Sequence, residues 1–128
     1  MTTDTKKIIL VVEDDVSLRK ILVDKLRHEN FSVLVAGNGD EGLKMALKNK
    51  PDLILLDIIM PRMNGIEMLK KLREDQWGKS ASVLLLTNDD DPEHMKEILL
   101  KEDALDYLIK ADWDLNSVLN IIRIKLKL

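Results

Sequence analysis

A chain of 128 residues with 45% hydrophobic and 34% charged side chains suits one compact domain, is too short for two ordinary ones and is not disorder-like. No apolar run approaches the roughly 20 residues that span a bilayer, and a net charge of −3 leaves no electrostatic footprint for nucleic acid. Zero cysteines exclude disulfides, thiolate metal sites and cysteine nucleophiles, and two histidines, His28 and His94, are too few for a His-based metal site.

The opening MTTDTKK reaches its charges at once and only five apolar residues follow, so no secretory signal is expected and the expected compartment is the cytoplasm. Those five, Ile8 to Val12, predict the first strand, which runs into three acids, Glu13, Asp14 and Asp15. Leu18, Ile21, Leu22 and Leu26 follow at the three-and-four spacing of one helical face. Phe31 to Ala36 predicts a second strand, and Leu43, Ala46 and Leu47 a second helix. Pro51, after Asn49 and Lys50, opens the third strand, Leu53 to Leu56, which ends on Asp57. A third helix is marked by Met68, Leu69 and Leu72, and the fourth strand, Val83 to Leu86, ends on Thr87. Asp91, Pro92 and Glu93 supply a cap, a first-turn proline and an acid at the positive end of the dipole for a fourth helix through Met95, Ile98 and Leu99. The fifth strand, Leu105 to Ile109, ends on Lys110, and Leu115, Val118, Leu119, Ile122 and Leu126 mark the last helix.

Regular alternation of strand and helix requires crossover connections, and these give a parallel sheet covered on both faces. The expected architecture is a doubly wound α/β domain spanning residues 1–128, with five strands in the order 2-1-3-4-5 and five helices. The continuously apolar ILVV, LILL and VLLL match burial on both faces. Ligands of such sheets bind beyond the carboxyl ends of the strands, between strands 1 and 3 here, so functional residues should follow strands. Glu13, Asp14, Asp15, Asp57, Thr87 and Lys110 all do. Clustered carboxylates repel one another, which raises their pKa values and costs stability without a cation. Oxygen donors alone point to Mg²⁺. With Lys110 as a second positive charge and Thr87 as a hydroxyl donor, the set describes a pocket for a phosphoryl group carried on a carboxylate.

IILVVEDD, LILLDIIMPRMNG, LLLTN and DYLIK, in this order and at this spacing, resemble the response-regulator receiver domain of two-component signalling, similar to chemotaxis regulators and flavodoxin-like in fold. The resemblance covers nearly the whole chain and implies a signalling domain rather than an enzyme, one that assists its own phosphorylation and dephosphorylation. It makes Asp57 the phosphoacceptor, served by a sensor histidine kinase or a histidine phosphotransfer protein. By the same resemblance Asp14 is the direct Mg²⁺ ligand, Glu13 the outer-sphere acid and the Ile59 backbone carbonyl a further ligand, while Asp15 caps the following helix. Thr87 matches the switch hydroxyl, Tyr107 the aromatic that moves with it, and Gly65 the loop glycine. The implied output surface is the fourth helix, fifth strand and fifth helix, which would engage a downstream effector or a second copy in a phosphorylation-dependent homodimer.

Ala111 replaces the family's usual proline after the lysine, Asn88 a smaller residue after the threonine, and Asp103 the glycine before Ala104. Ile59 and Asp89, which flank the path of an attacking water in receivers, are poorly suited to hold one, so slow self-dephosphorylation is expected. Two other readings carry less weight. A haloacid-dehalogenase-type phosphatase wants a second Asp where Ile59 stands, and a non-phosphorylated pseudo-receiver would not be expected to keep Asp14, Asp57, Thr87 and Lys110 together. Met60, Met63 and Met68 read as packing, and His28 and His94 as solvated helix residues. The chain is expected to be a stand-alone receiver or one cut from a larger protein.

Overall fold

The computed structural model describes residues 6–58, 60, 62–87, 96, 98, 100, 101, 106–109 and 114–128, with the backbone alone at 106, 107 and 109. In chain order it contains β1 (Ile8–Val12), α1 (Val16–His28), β2 (Ser32–Ala36), α2 (Gly39–Asn49), β3 (Leu53–Asp57), α3 (Gly65–Glu74), β4 (Val83–Thr87), β5 (Asp106–Ile109) and a C-terminal helix (Leu115–Lys125). Lys96, Ile98, Leu100 and Lys101 are helical too, and Ile98 is buried, as the spacing of the expected fourth helix requires. The Asp91-Pro92-Glu93 cap, Met95 and Leu99 lie outside the described residues.

All pairings are parallel and the strand order is β2-β1-β3-β4-β5. The pleat sends alternate residues to opposite faces, and this divides the core in two. Leu10, Val12, Ile54, Leu56, Val83 and Leu85 pack with Ala46 of α2 and with Met68, Leu69 and Leu72 of α3. On the other face Ile9, Val11, Leu53, Leu55, Leu84 and Leu86 meet Leu22, Val23 and Leu26 of α1 and Val118, Leu119 and Ile122 of the C-terminal helix. An apolar strand with no polar alternation is therefore serving two cores at once.

Four details differ from the sequence expectation. Phe31 is not in β2: its N–H bonds to the Leu26 carbonyl, and its buried ring closes the end of α1. Ile21 is half exposed, whereas Val23 is buried, because the inward stripe of α1 is Leu22, Val23 and Leu26. Leu126 caps the last helix from just beyond its end. Asp57 and Thr87 do not follow their strands but are the last residues of them, since Asp57 pairs with Leu86 and Thr87 with Ile109. Met60 and Met68 are core residues, Met63 packs against them and His28 is exposed, as expected.

The C-terminal helix starts at Asp114, whose Oδ1 accepts from the Ser117 N–H at 2.8 Å. That backbone hydrogen bond, aided by the Ser117 hydroxyl, holds the Asp114 carboxyl below its usual 3.8. A depressed pKa in the folded state means stabilisation that is present above the unfolded value and lost as pH falls through the folded one. Asp114→Ala should therefore lower stability at neutral pH, with the gap from the parent narrowing in acid, as read by urea unfolding across that range.

Candidate functional site

The carboxyl ends of β1 and β3 meet because the strands run level: Val12 pairs with Leu56, so the next residues, Glu13 and Asp57, emerge side by side. One carboxylate oxygen each from Glu13, Asp14 and Asp57 lies within 4.8 Å of the others. Glu13 is fully buried and Asp57 only 3% exposed, while Asp14 faces solvent. Three anions this close, two of them shielded from water, repel strongly in a low-dielectric setting. The donors are all oxygen, and the exposed acid leaves a way in, a combination that fits a hard divalent cation.

Local hydrogen bonds hold the acids in place. Glu13 donates its N–H to the Ala36 carbonyl at 3.1 Å, and its own carbonyl accepts from Arg19 Nη1 at 3.0 Å. Its Oε1 accepts from the Asp15 N–H at 3.3 Å, which turns the side chain back along the loop. Asp15 Oδ1 in turn accepts from the Leu18 N–H at 3.1 Å, so the third acid is the N-cap of α1, as expected.

Thr87 ends β4 next to Asp57 and is 1% exposed. Its ladder partner is Ile109, the residue before Lys110. Lys110 and Ile59 lie outside the described residues, as do Asn88, Asp89, Asp103 and Ala111. The backbone of Tyr107 pairs with Leu85 in β5, while its side chain falls outside the description.

Gly65, which matches the loop glycine of the resemblance, is required there by close packing. A Cβ there would run into the Asp57 carbonyl and Ile58 Cα, and the Gly65 N–H donates to the Ile58 carbonyl at 2.7 Å. The loop thus folds directly onto the end of β3. Gly39 does the same from the neighbouring helix: its N–H reaches the Met63 carbonyl at 3.0 Å, and a Cβ would strike that carbonyl. Arg62, in the left-handed region at φ 64, approaches Asp40 of α2 at 3.5 Å. Gly39 and the two Asn caps were missed, although Asn38-x-x-Glu41 and Asn64-x-x-Glu67 carry a legible signal. In each, the Asn side chain accepts from the Glu N–H at 2.9 Å.

Residues 9–123 match the family model of the response regulator receiver domain. The chain belongs to that family. Response regulator ArlR of Staphylococcus saprophyticus is 35% identical to this receiver domain over 119 residues, 93% of the chain and 52% of ArlR. ArlR of Staphylococcus aureus is 36% identical over 115 residues, 90% of the chain and 50% of ArlR. The chain therefore spans about half the length of these curated relatives. Among solved structures, chemotaxis response regulator CheY4 of Vibrio cholerae superposes with a TM-score of 0.86 at 29% identity, over 93% of this chain and 98% of CheY4. The receiver domain of sensor histidine kinase PA1611 from Pseudomonas aeruginosa has a magnesium ion coordinated in its active-site cleft. It is similar in fold, with a TM-score of 0.85 at 22% identity over 97% of this chain and 100% of that one. The fold is thus the flavodoxin-like α/β fold of receivers.

The glycine contact gives a direct test of how tightly the loop is fitted. Gly65→Ala should destabilise the domain by about 1–3 kcal/mol, the usual cost of forcing a methyl group into a filled space. Urea unfolding measures it, and an unchanged midpoint would mean that the loop can lift off the end of β3.

Proposed function

We propose that this receiver domain accepts a phosphoryl group on Asp57 from a sensor histidine kinase or a histidine phosphotransfer protein. The observation that carries the reading is the meeting of Glu13, Asp14 and Asp57 within 4.8 Å at the carboxyl end of a parallel sheet. An Asp57 oxygen attacks phosphorus, the bond from phosphorus to the donor imidazole nitrogen breaks, and the product is an acyl phosphate. Asp14 and Asp57, with Glu13 as the outer-sphere acid and the Ile59 backbone carbonyl as the further ligand that the family resemblance implies, would hold Mg²⁺. When bound, that ion neutralises charge on the phosphoryl oxygens as they approach the acids.

The chain's own groups supply the rest. Arg19 fixes the Glu13 carbonyl, and Asp15 fixes both the turn of the Glu13 side chain and the start of α1, so the acids need little rearrangement. Thr87, at the end of the adjacent strand, donates its hydroxyl to a phosphoryl oxygen, and Lys110 lends its ammonium. In this reading a phosphoryl group of nearly two negative charges draws Thr87 inward and Tyr107 follows, which alters the surface made by the fourth helix, β5 and the C-terminal helix. That surface then meets a downstream effector or a second phosphorylated copy. No helix among the described residues is long and apolar enough to cross a membrane.

Incubation with Mg²⁺ and a small acyl phosphate should add one phosphoryl group by mass spectrometry, and Asp57→Ala should lose it; full labelling of that variant would place the acceptor elsewhere. Mg²⁺ alone should also raise stability, because it binds the acids only where folding has brought them together. At about ten times its Kd the gain is about 1.4 kcal/mol, a thermal shift of a few degrees. Asp14→Ala should abolish that shift, and a variant that kept it would put the metal at other ligands.

A further inference from the structure

The outer edge of the sheet holds a second surface that phosphoryl chemistry does not use. Among the described residues β2 is an edge strand, paired with β1 alone. Ser32 donates its N–H to the Lys7 carbonyl at 2.9 Å, and the Ala36 carbonyl accepts from the Glu13 N–H at 3.1 Å. Residues 32, 34 and 36 therefore turn their backbone groups toward β1, and by alternation Val33 and Val35 direct theirs outward. Val33 and Val35 also share a side-chain face, yet α1 covers only the first: Val33 is 8% exposed and Val35 42%.

Beside Val35 the gap between β2 and α1 is a cleft of about 330 Å³. Its apolar lining is Val16, Val23 and Val35. Around these stand three cations, Arg19, Lys20 and Arg27, against one acid, Asp24, which Lys20 already engages at 3.0 Å. The cleft is thus locally positive in a chain of net charge −3. Long edges of this kind invite pairing, and the sign of the surrounding charge selects what can pair.

We propose that this edge binds an extended, acidic segment of a partner protein as a sixth strand. Its backbone would pair with the outward groups of Val33 and Val35, in the manner of strand addition. Alternate apolar side chains would sit over Val16, Val23 and Val35, and its carboxylates would reach Arg27 and Lys20. A second copy of the chain is a poor occupant, because joining two β2 edges sets the two cationic rims against each other across the new ladder. The proposal stands independently of the Asp57 chemistry.

The test is titration of the isotope-labelled chain with a synthetic peptide of about ten residues alternating Glu and Val, long enough to run the length of β2. A Lys and Val peptide is the control. The acidic peptide should shift the Val33 and Val35 amides and slow their exchange, with binding that weakens as salt rises. Arg27→Glu combined with Lys20→Glu should weaken it about tenfold or more. Val35→Pro removes one outward N–H and leaves the β1 ladder intact, so it should abolish binding; should that variant fail to fold, the charge reversals at exposed positions decide the matter. Equal binding of the Lys peptide, indifference to the charge reversals, or concentration-dependent dimerisation through β2 in the absence of peptide would each overturn the proposal.

Discussion

The level parallel register of β1 and β3 is the constraint on which the rest of the molecule depends. Because Val12 lies opposite Leu56, any side chain that ends the first strand must stand beside the one that ends the third. Both are carboxylates here, and both are buried. Burial removes the water that would otherwise screen two such acids from each other. The strands beneath are held from both sides by aliphatic packing, with Leu55 and Leu84 on one face and Leu56 and Leu85 on the other fully buried. The two cores set the strand ends, and the strand ends set the site.

Much of this was legible because the signals were local. Uninterrupted aliphatic runs gave the strands, three-and-four spacing gave the helices, and the alternation of the two gave the strand order before any contact was known. The placement of Glu13, Asp14, Asp57 and Thr87 at the strand ends was legible for the same reason, since polar residues at the ends of buried strands stand out from what precedes them. What escaped was set by tertiary contact. The choice between Ile21 and Val23 as the inward residue of α1 depends on how the helix is rotated against β2, and a spacing of three and four admits both. Phe31 looks like a strand residue by type and is drawn instead into the end of α1. Gly39 reads as an ordinary loop glycine until Met63, 24 positions later, is found against it.

Backbone contact adds to the packing of Met60 and Met63 in holding the loop between β3 and α3. Gly65 lies on the Asp57 carbonyl, Gly39 lies on Met63, and Arg62 takes a left-handed turn between them. The ion pair of Arg62 with Asp40 is exposed and contributes little by itself. The two glycine contacts admit almost no slack, and Asn38 and Asn64 fix the first turns of α2 and α3 on either side.

Gly42 extends this tight fit along α2. A side chain there would meet Val12 on the strand below and the Met68 sulfur on the neighbouring helix, both closer than ordinary contact. The helix thus sits close to β1 and α3, with the Val12 methyls and the Met68 sulfur filling the space that a side chain at 42 would take. A larger residue at 42 would have to displace both neighbours at once, which ties the placement of α2 to the strand and the helix beside it.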